Sequence, residues 1–262
     1  MWDLYDALIE GIPSGMIVKA YNVAHNWTTI TTDDTMGISL TVYARGVSRQ
    51  IQKSLTGMDL KDVAALSKSW NMLDASLGVA AINAYYNTWE KAQAFPGFQP
   101  PTTMDNKLES RTEKNAFFAF SNEITGKKVT IIGHFPYIEK QVAPICDLTI
   151  LERNPDTGDL PDSACEYILP EQDYVFITGM TLMNKTLPRL LTLCQKPKVS
   201  LVGPSVPLSP VLFEKGANNL SGFVITDPTT LDEIVRLGCN TEIFAGGRMI
   251  SIDDAGEGNH GG

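Results

Sequence analysis

No stretch of the 262-residue sequence approaches the roughly 20 consecutive apolar residues that a membrane-spanning helix requires. Basic residues are also short: 21 Lys and Arg stand against 30 Asp and Glu, a formal charge of −9. The cations do not cluster, and nucleic-acid binding depends on grouped Lys and Arg that neutralise phosphates. The sequence therefore argues against a nucleic-acid partner, and for the same reason against an anionic membrane surface. Imidazole comes only from His25, His134 and His260, while Cys146, Cys165, Cys194 and Cys239 lie far apart with no C-x-x-C pair. A zinc-like cage needs closely spaced thiolates and imidazoles, so no metal-ligating residue is assigned. The opening Met1-Trp2-Asp3-Leu4-Tyr5-Asp6 lacks the basic segment of a secretory signal. These absences predict a cytoplasmic protein with reduced thiols. Neither a G-x-S-x-G turn nor a Ser-His-acid order is present, which removes the signature of acyl hydrolysis.

What is there is an apolar content of 43%, ample for two modest cores. Residues 2–9 suit an amphipathic helix stopped by Gly11 and Pro13. Segments 17–23, 27–32 and 37–42 read as an antiparallel meander with one dry face, the last alternating with period two. Segments 59–68 and 71–87 read as helices, the second apolar almost all round, as expected of a helix buried between a sheet and something else. Phe95-Pro96-Gly97-Phe98-Gln99-Pro100-Pro101 can continue neither a helix nor a central strand. The predicted division is an α+β domain with linker over 1–110, an α/β domain over 111–252, and a disordered Gly-rich tail over 253–262. In the second domain, apolar runs at 128–132, 148–151, 174–177, 199–202 and 222–225 alternate with helix-length segments. That pattern predicts a Rossmann-like parallel sheet covered on both faces.

Ligands of such sheets bind beyond the strand ends, where the strand order switches. The first strand runs into Gly133-His134-Phe135-Pro136, a tight turn that aims main-chain amides, and the His134 ring, above the sheet. Imidazole suits proton transfer near neutrality, and a solvent-exposed His in an ordinary turn is the competing reading. Glu152 ends the second strand, where dinucleotide folds place the carboxylate that binds ribose. Phe135 and Ile138 stand where a nicotinamide fingerprint has glycines, which argues against NAD and FAD and leaves the cofactor unassigned. An S-adenosylmethionine-like nucleoside, lacking a pyrophosphate, remains open. Thr178, Gly179, Thr181 and Asn184 supply a permissive glycine and short hydrogen-bonding groups after the next strand, though such residues also cap helices. Ser205 sits in a rim fixed by Pro204 and Pro207. In the first domain Asn71, Ser76 and Asn83 interrupt apolar helical sequence; they either satisfy one another's backbone or form the opposite wall of a cleft.

Gly133-His134-Phe135-Pro136, Glu152, Asp173 to Gly179, Thr181 with Asn184, and Gly203-Pro204-Ser205 together resemble the heavy-metal-chelation family. The resemblance extends over nearly the whole chain. It implies an enolase-N-terminal-like α+β domain joined to a Rossmann-like domain with partial similarity to methyltransferases, and a site between them. It further implies a role around metal-chelating small molecules, by condensation or hydrolysis of pterin-, flavin- or siderophore-like compounds. On that reading His134 and Glu152 are the catalytic pair. Gly133, Phe135, Thr178, Gly179, Thr181, Asn184, Ser205, Asn71 and Asn83 bind the ligand. A non-catalytic metal-chelate carrier and an S-adenosylmethionine-dependent methyltransferase are the alternatives. A homodimer would be ordinary for a protein of this size.

Overall fold

A computed structural model of the chain describes residues 2–44, 46–99, 120–135 and 138–256. The end of the predicted linker, the start of the predicted second domain up to residue 119, and the tail from 257 lie outside the described residues. The chain opens with helix α1 (Asp3–Glu10), which buries Leu4, Tyr5, Leu8 and Ile9. Next comes the meander, with strands β1 (Ala20–Val23), β2 (Trp27–Thr31) and β3 (Met36–Leu40) paired antiparallel in that order. Helix α2 (Leu60–Ala64) is capped by Asp59, whose side chain accepts from the Lys61 amide. Helix α3 (Met72–Tyr86) is capped by Asn71.

The meander has no wet face over its central strands. Residues 27–30 and 36–39 are buried throughout, polar ones included. Helix α3 covers one face. On the other, Trp27, Met36 and Ile38 pack with Phe223, Leu231, Val235 and Ile243 from the C-terminal half. Period-two alternation therefore described the strands but missed the second layer, because Thr28, Thr29 and Ser39 are buried too, with the Thr28 hydroxyl paired to that of Thr41 and the Ser39 hydroxyl to α3. Ser39 Oγ, for example, donates to the Ser76 carbonyl at 2.7 Å. Helix α3 is enclosed as predicted: 12 of its 15 residues are buried.

The large sheet has the order β4-β11-β10-β9-β8-β5-β6-β7. Its members are β4 (Phe98–Gln99), β5 (Lys128–Ile132), β6 (Asp147–Glu152), β7 (Leu160–Pro161), β8 (Tyr174–Thr178), β9 (Lys198–Val202), β10 (Asn219–Ile225) and β11 (Gly247–Asp253). Strands β5 to β10 run parallel; β11 joins β10 antiparallel and β4 joins β11 antiparallel. The five apolar runs form parallel strands as expected, and the antiparallel edge of β11 and β4 is added to them. Strand β11 alternates buried and half-buried residues from Met249 to Asp253, as an outer antiparallel strand can. From β5 the chain steps to β6 and β7, then returns to β8 on β5's other side, so the strand order switches between β5 and β8.

One apolar core joins the two sheets. Leu77, Val79 and Ile82 of α3 share a cluster with Leu182, Leu190 and Val206. Phe120, Ile124, Val129, Ile131 and Phe176 fill a second cluster. Among the described residues no helix is long and apolar enough to cross a membrane.

Candidate functional site

A cavity of about 380 Å³ lies beyond the C-terminal ends of β5, β6 and β8, at the switch in strand order. Its apolar lining comes from Ile132, Leu151 and Leu190. Gly133 and Thr178 contribute the strand ends, and Thr181, Asn184 and Thr186 the hydroxyls and amide of the segment after β8. Glu152 and Arg153 close one side. Asp162, Ser163, Cys165 and Glu166, from the connection between β7 and β8, close another. Every described lining residue falls between Ile132 and Leu190, so this is a pocket of the parallel sheet and not the cleft between two halves that the sequence suggested.

Gly133 has φ +99°, and a Cβ there would lie 2.9 Å from Thr178 Cγ2. Only glycine satisfies both the left-handed backbone and the contact. The turn is then stapled by Glu152: one carboxylate oxygen accepts the His134 amide at 2.9 Å, the other the amides of Arg153 at 2.6 Å and Asn154 at 3.3 Å. Glu152 thus lines the cavity while its oxygens hold main chain. The His134 ring is not among the lining residues. Its Nδ1 lies 3.0 Å from Asp159 Oδ2, a carboxylate only 3% exposed that also accepts the Asp156 amide. Phe135 packs on the second apolar cluster and is not among the lining residues.

Thr181 and Asn184 do face the cavity. Thr181 Oγ1 donates to the Thr178 carbonyl at 2.7 Å. Asn184 Oδ1 accepts from the Thr186 amide and hydroxyl at 3.1 and 2.6 Å, whereas its Nδ2 has no partner among the described residues. An open amide donor in a cavity wall is available to a ligand.

The structure does not bring the other expected residues to this place. Gly179 allows close packing against the main chain of Ser205 and Val206, which a Cβ would meet at 2.8 Å. Ser205 Oγ accepts the Leu40 amide at 2.8 Å, tying the two sheets together. Asn83 Nδ2 donates to the Ile38 carbonyl at 2.8 Å and reaches that of Pro204 at 3.4 Å. Asn71 caps α3 and donates to the Val47 carbonyl at 2.7 Å.

Sequence reasoning missed the charged wall. Arg153 Nε donates to Asp162 at 3.2 Å, and Arg189 pairs with Glu166 through two bonds. These residues lie on a connection of short turns without a repeating pattern, and only the chain's return from β7 to β8 sets them beside Arg189. Burial pushes the Cys165 thiol up, with the neighbouring Glu166 and Asp162 carboxylates adding to the effect, so it stays protonated at neutral pH. Among the described residues no three His, Cys, Asp or Glu side chains converge as a metal-binding set.

Two family models, both described as "Putative heavy-metal chelation", match residues 5–86 (DUF4213) and 115–252 (DUF364). The chain belongs to this family. A crystal structure of a DUF364-family protein of unknown function from Desulfitobacterium hafniense superposes with a TM-score of 0.85 at 39% identity, covering 97% of this chain and 99% of that one. A second, from Pyrococcus horikoshii, has a TM-score of 0.75 at 18% identity, over 96% and 98% of the two chains, and supports the fold alone. An uncharacterised protein of Methanocaldococcus jannaschii is 26% identical over 222 residues, 80% of this chain and 78% of its own length. For the heavy-metal-chelation chain described here, the donor set fits a metal poorly when it comes as a bare ion.

Proposed function

We propose that the chain binds a small polar organic molecule able to chelate a metal ion, of pterin, flavin or siderophore type, in the cavity at the ends of β5, β6 and β8. One observation carries this reading: a cavity of about 380 Å³ at the strand-order switch combines an apolar floor with polar groups on its walls. That is the size and make-up of small-molecule sites in general. Thr181 and Asn184 orient the ligand, with the open Asn184 amide as donor, and Gly133 and Thr178 shape the floor.

His134 and Asp159 extend the reading to catalysis. The buried Asp159 carboxylate accepts from Nδ1–H, which fixes the neutral tautomer whose basic atom is Nε2. Glu152 is then a positioning residue that holds the His134 main chain. The methyltransferase alternative draws no support, because the carboxylate that would anchor a ribose is already bonded to three amides.

The test is native mass spectrometry of freshly purified protein, followed by denaturation and identification of what is released. Retention of an organic molecule with its metal in one-to-one ratio is the expected result, with Asn184→Ala losing it on dilution. A metal retained without any organic molecule would defeat the proposal. Turnover of the released molecule by wild type but not by His134→Gln would establish the catalytic step, whereas equal turnover would assign His134 to structure.

A further inference from the structure

Among the groups that line the cavity, Arg189 and Glu166 stand apart in geometry. Arg189 Nε and Nη2 each donate to a different oxygen of Glu166, at 2.9 and 2.5 Å. Two parallel bonds between planar groups are the fork by which a guanidinium recognises carboxylates and phosphates, and here a carboxylate occupies it. Arg153, on another part of the wall, makes one such bond to Asp162, at 3.2 Å.

The two partners come from different elements. Glu166 lies on the short helix Cys165–Ile168 between β7 and β8, and Arg189 on the helix Leu187–Leu193 that follows β8. Their side chains are 45% and 56% exposed, so both stay hydrated. Exposed ion pairs of this kind contribute little stability, and replacing one carboxylate by another there costs little. Arg189 also holds the Glu166 carboxyl below the usual range, so the exchange is between two anions throughout the neutral pH range. Cys165, Thr186 and Leu190 line the cavity beside the pair.

We propose that Arg189 is the anion-recognition residue of the cavity, that Glu166 occupies its fork as an internal surrogate, and that the ligand carries a carboxylate which displaces Glu166. This rests on the cavity being the ligand site and adds the chemical class of what enters it. Carboxylate oxygens are also donors that hard cations accept, in keeping with a chelating molecule.

Cys165 supplies the test, since its thiol lines the same cavity. Iodoacetate and iodoacetamide alkylate a thiolate by the same displacement, in which the S–C bond forms and iodide leaves, but only iodoacetate bears a carboxylate. Their relative rates at Cys165 are read at pH 8.5 by peptide mass spectrometry, which separates this thiol from Cys146, Cys194 and Cys239. In Glu166→Gln the fork is vacated, and the iodoacetate-to-iodoacetamide ratio rises several-fold over wild type. Adding Arg189→Lys keeps the charge but removes the fork, and the ratio returns towards the wild-type value. A gain that survives Arg189→Lys reflects charge alone and overturns the proposal. Equal ratios in all three proteins, with iodoacetamide still reaching Cys165, overturn it while leaving the cavity reading intact. If neither reagent reaches Cys165 in the folded protein, the cavity reading falls and the proposal with it.

Discussion

Glu152 accepts three main-chain amides, those of His134, Arg153 and Asn154, across the gap between two adjacent strand ends. Truncation in Glu152→Ala would leave those donors to water or to nothing, at a cost of about 1–3 kcal/mol. The expected outcome is a lower urea midpoint with an unchanged slope, and a weakened ligand affinity that follows from the loosened His134 turn. Lys185 is the second residue whose chemistry has a measurable signature. It is 7% exposed and has φ +66°; its Nζ donates to the carbonyls of Ser69 and Met183 and lies 5.8 Å from the centre of the Trp70 ring. Burial lowers its pKa to about 8. Between that value and the ordinary lysine value near 10.5 the unfolded chain binds more protons than the folded one, so this group makes stability rise with pH. Below pH 8 the penalty of the buried charge is present in full. Compared with Lys185→Met, wild type should therefore gain up to about 3 kcal/mol between pH 8 and 10.5, measured by paired urea titrations.

Helix α3 is held at its C-terminal end by Asn87, which is 4% exposed. Asn87 Nδ2 donates to the carbonyls of Val206 at 2.9 Å and Phe223 at 3.2 Å, and Oδ1 accepts the Leu208 amide at 2.7 Å. Asn87→Ala strands three buried main-chain groups of the large sheet and its loops, so a loss of roughly 3 kcal/mol is expected in denaturant unfolding. Helix α3 itself was legible, because an all-round apolar run has one physical outcome, enclosure. The five apolar runs likewise marked β5, β6, β8, β9 and β10. Strand β7 is only Leu160–Pro161, and β4 only Phe98–Gln99, both too short to show a period. Strand β11 begins Gly247-Arg248-Met249, where polar residues on one face obscure it. At the site, Gly133, Glu152, Thr178, Thr181 and Asn184 could be read because they end strands or follow them. Ser205, Asn83 and Asn71 drew notice for the same polar chemistry that serves as brackets between buried elements. Arg153, Asp162, Glu166 and Arg189 gave no local signal, since their meeting depends on the return of the chain from β7 to β8.

The largest apolar cluster draws on residues from Leu4 to Ile252. Hydrogen bonds from Tyr5 to the Leu182 carbonyl and from Trp27 to the Asn240 carbonyl reinforce the contact between the halves, both under 3 Å. Cooperative units follow contiguous cores. All four tryptophans, Trp2, Trp27, Trp70 and Trp89, lie in the N-terminal half, while Cys194, whose thiol burial pushes up to about 12, reports on the C-terminal half. Tryptophan emission and Cys194 labelling should therefore lose their native values at one urea concentration. Two separated midpoints would show that the halves melt independently. The enclosure of α3 also bears on inheritance. A helix with no face for water cannot be passed between genes as a detachable module, because alone it would arrive with its apolar surface bare. Segments 5–86 and 115–252 are thus expected to travel in one reading frame, and where a genome carries only one of them, a separate gene should encode the missing half as an obligate subunit.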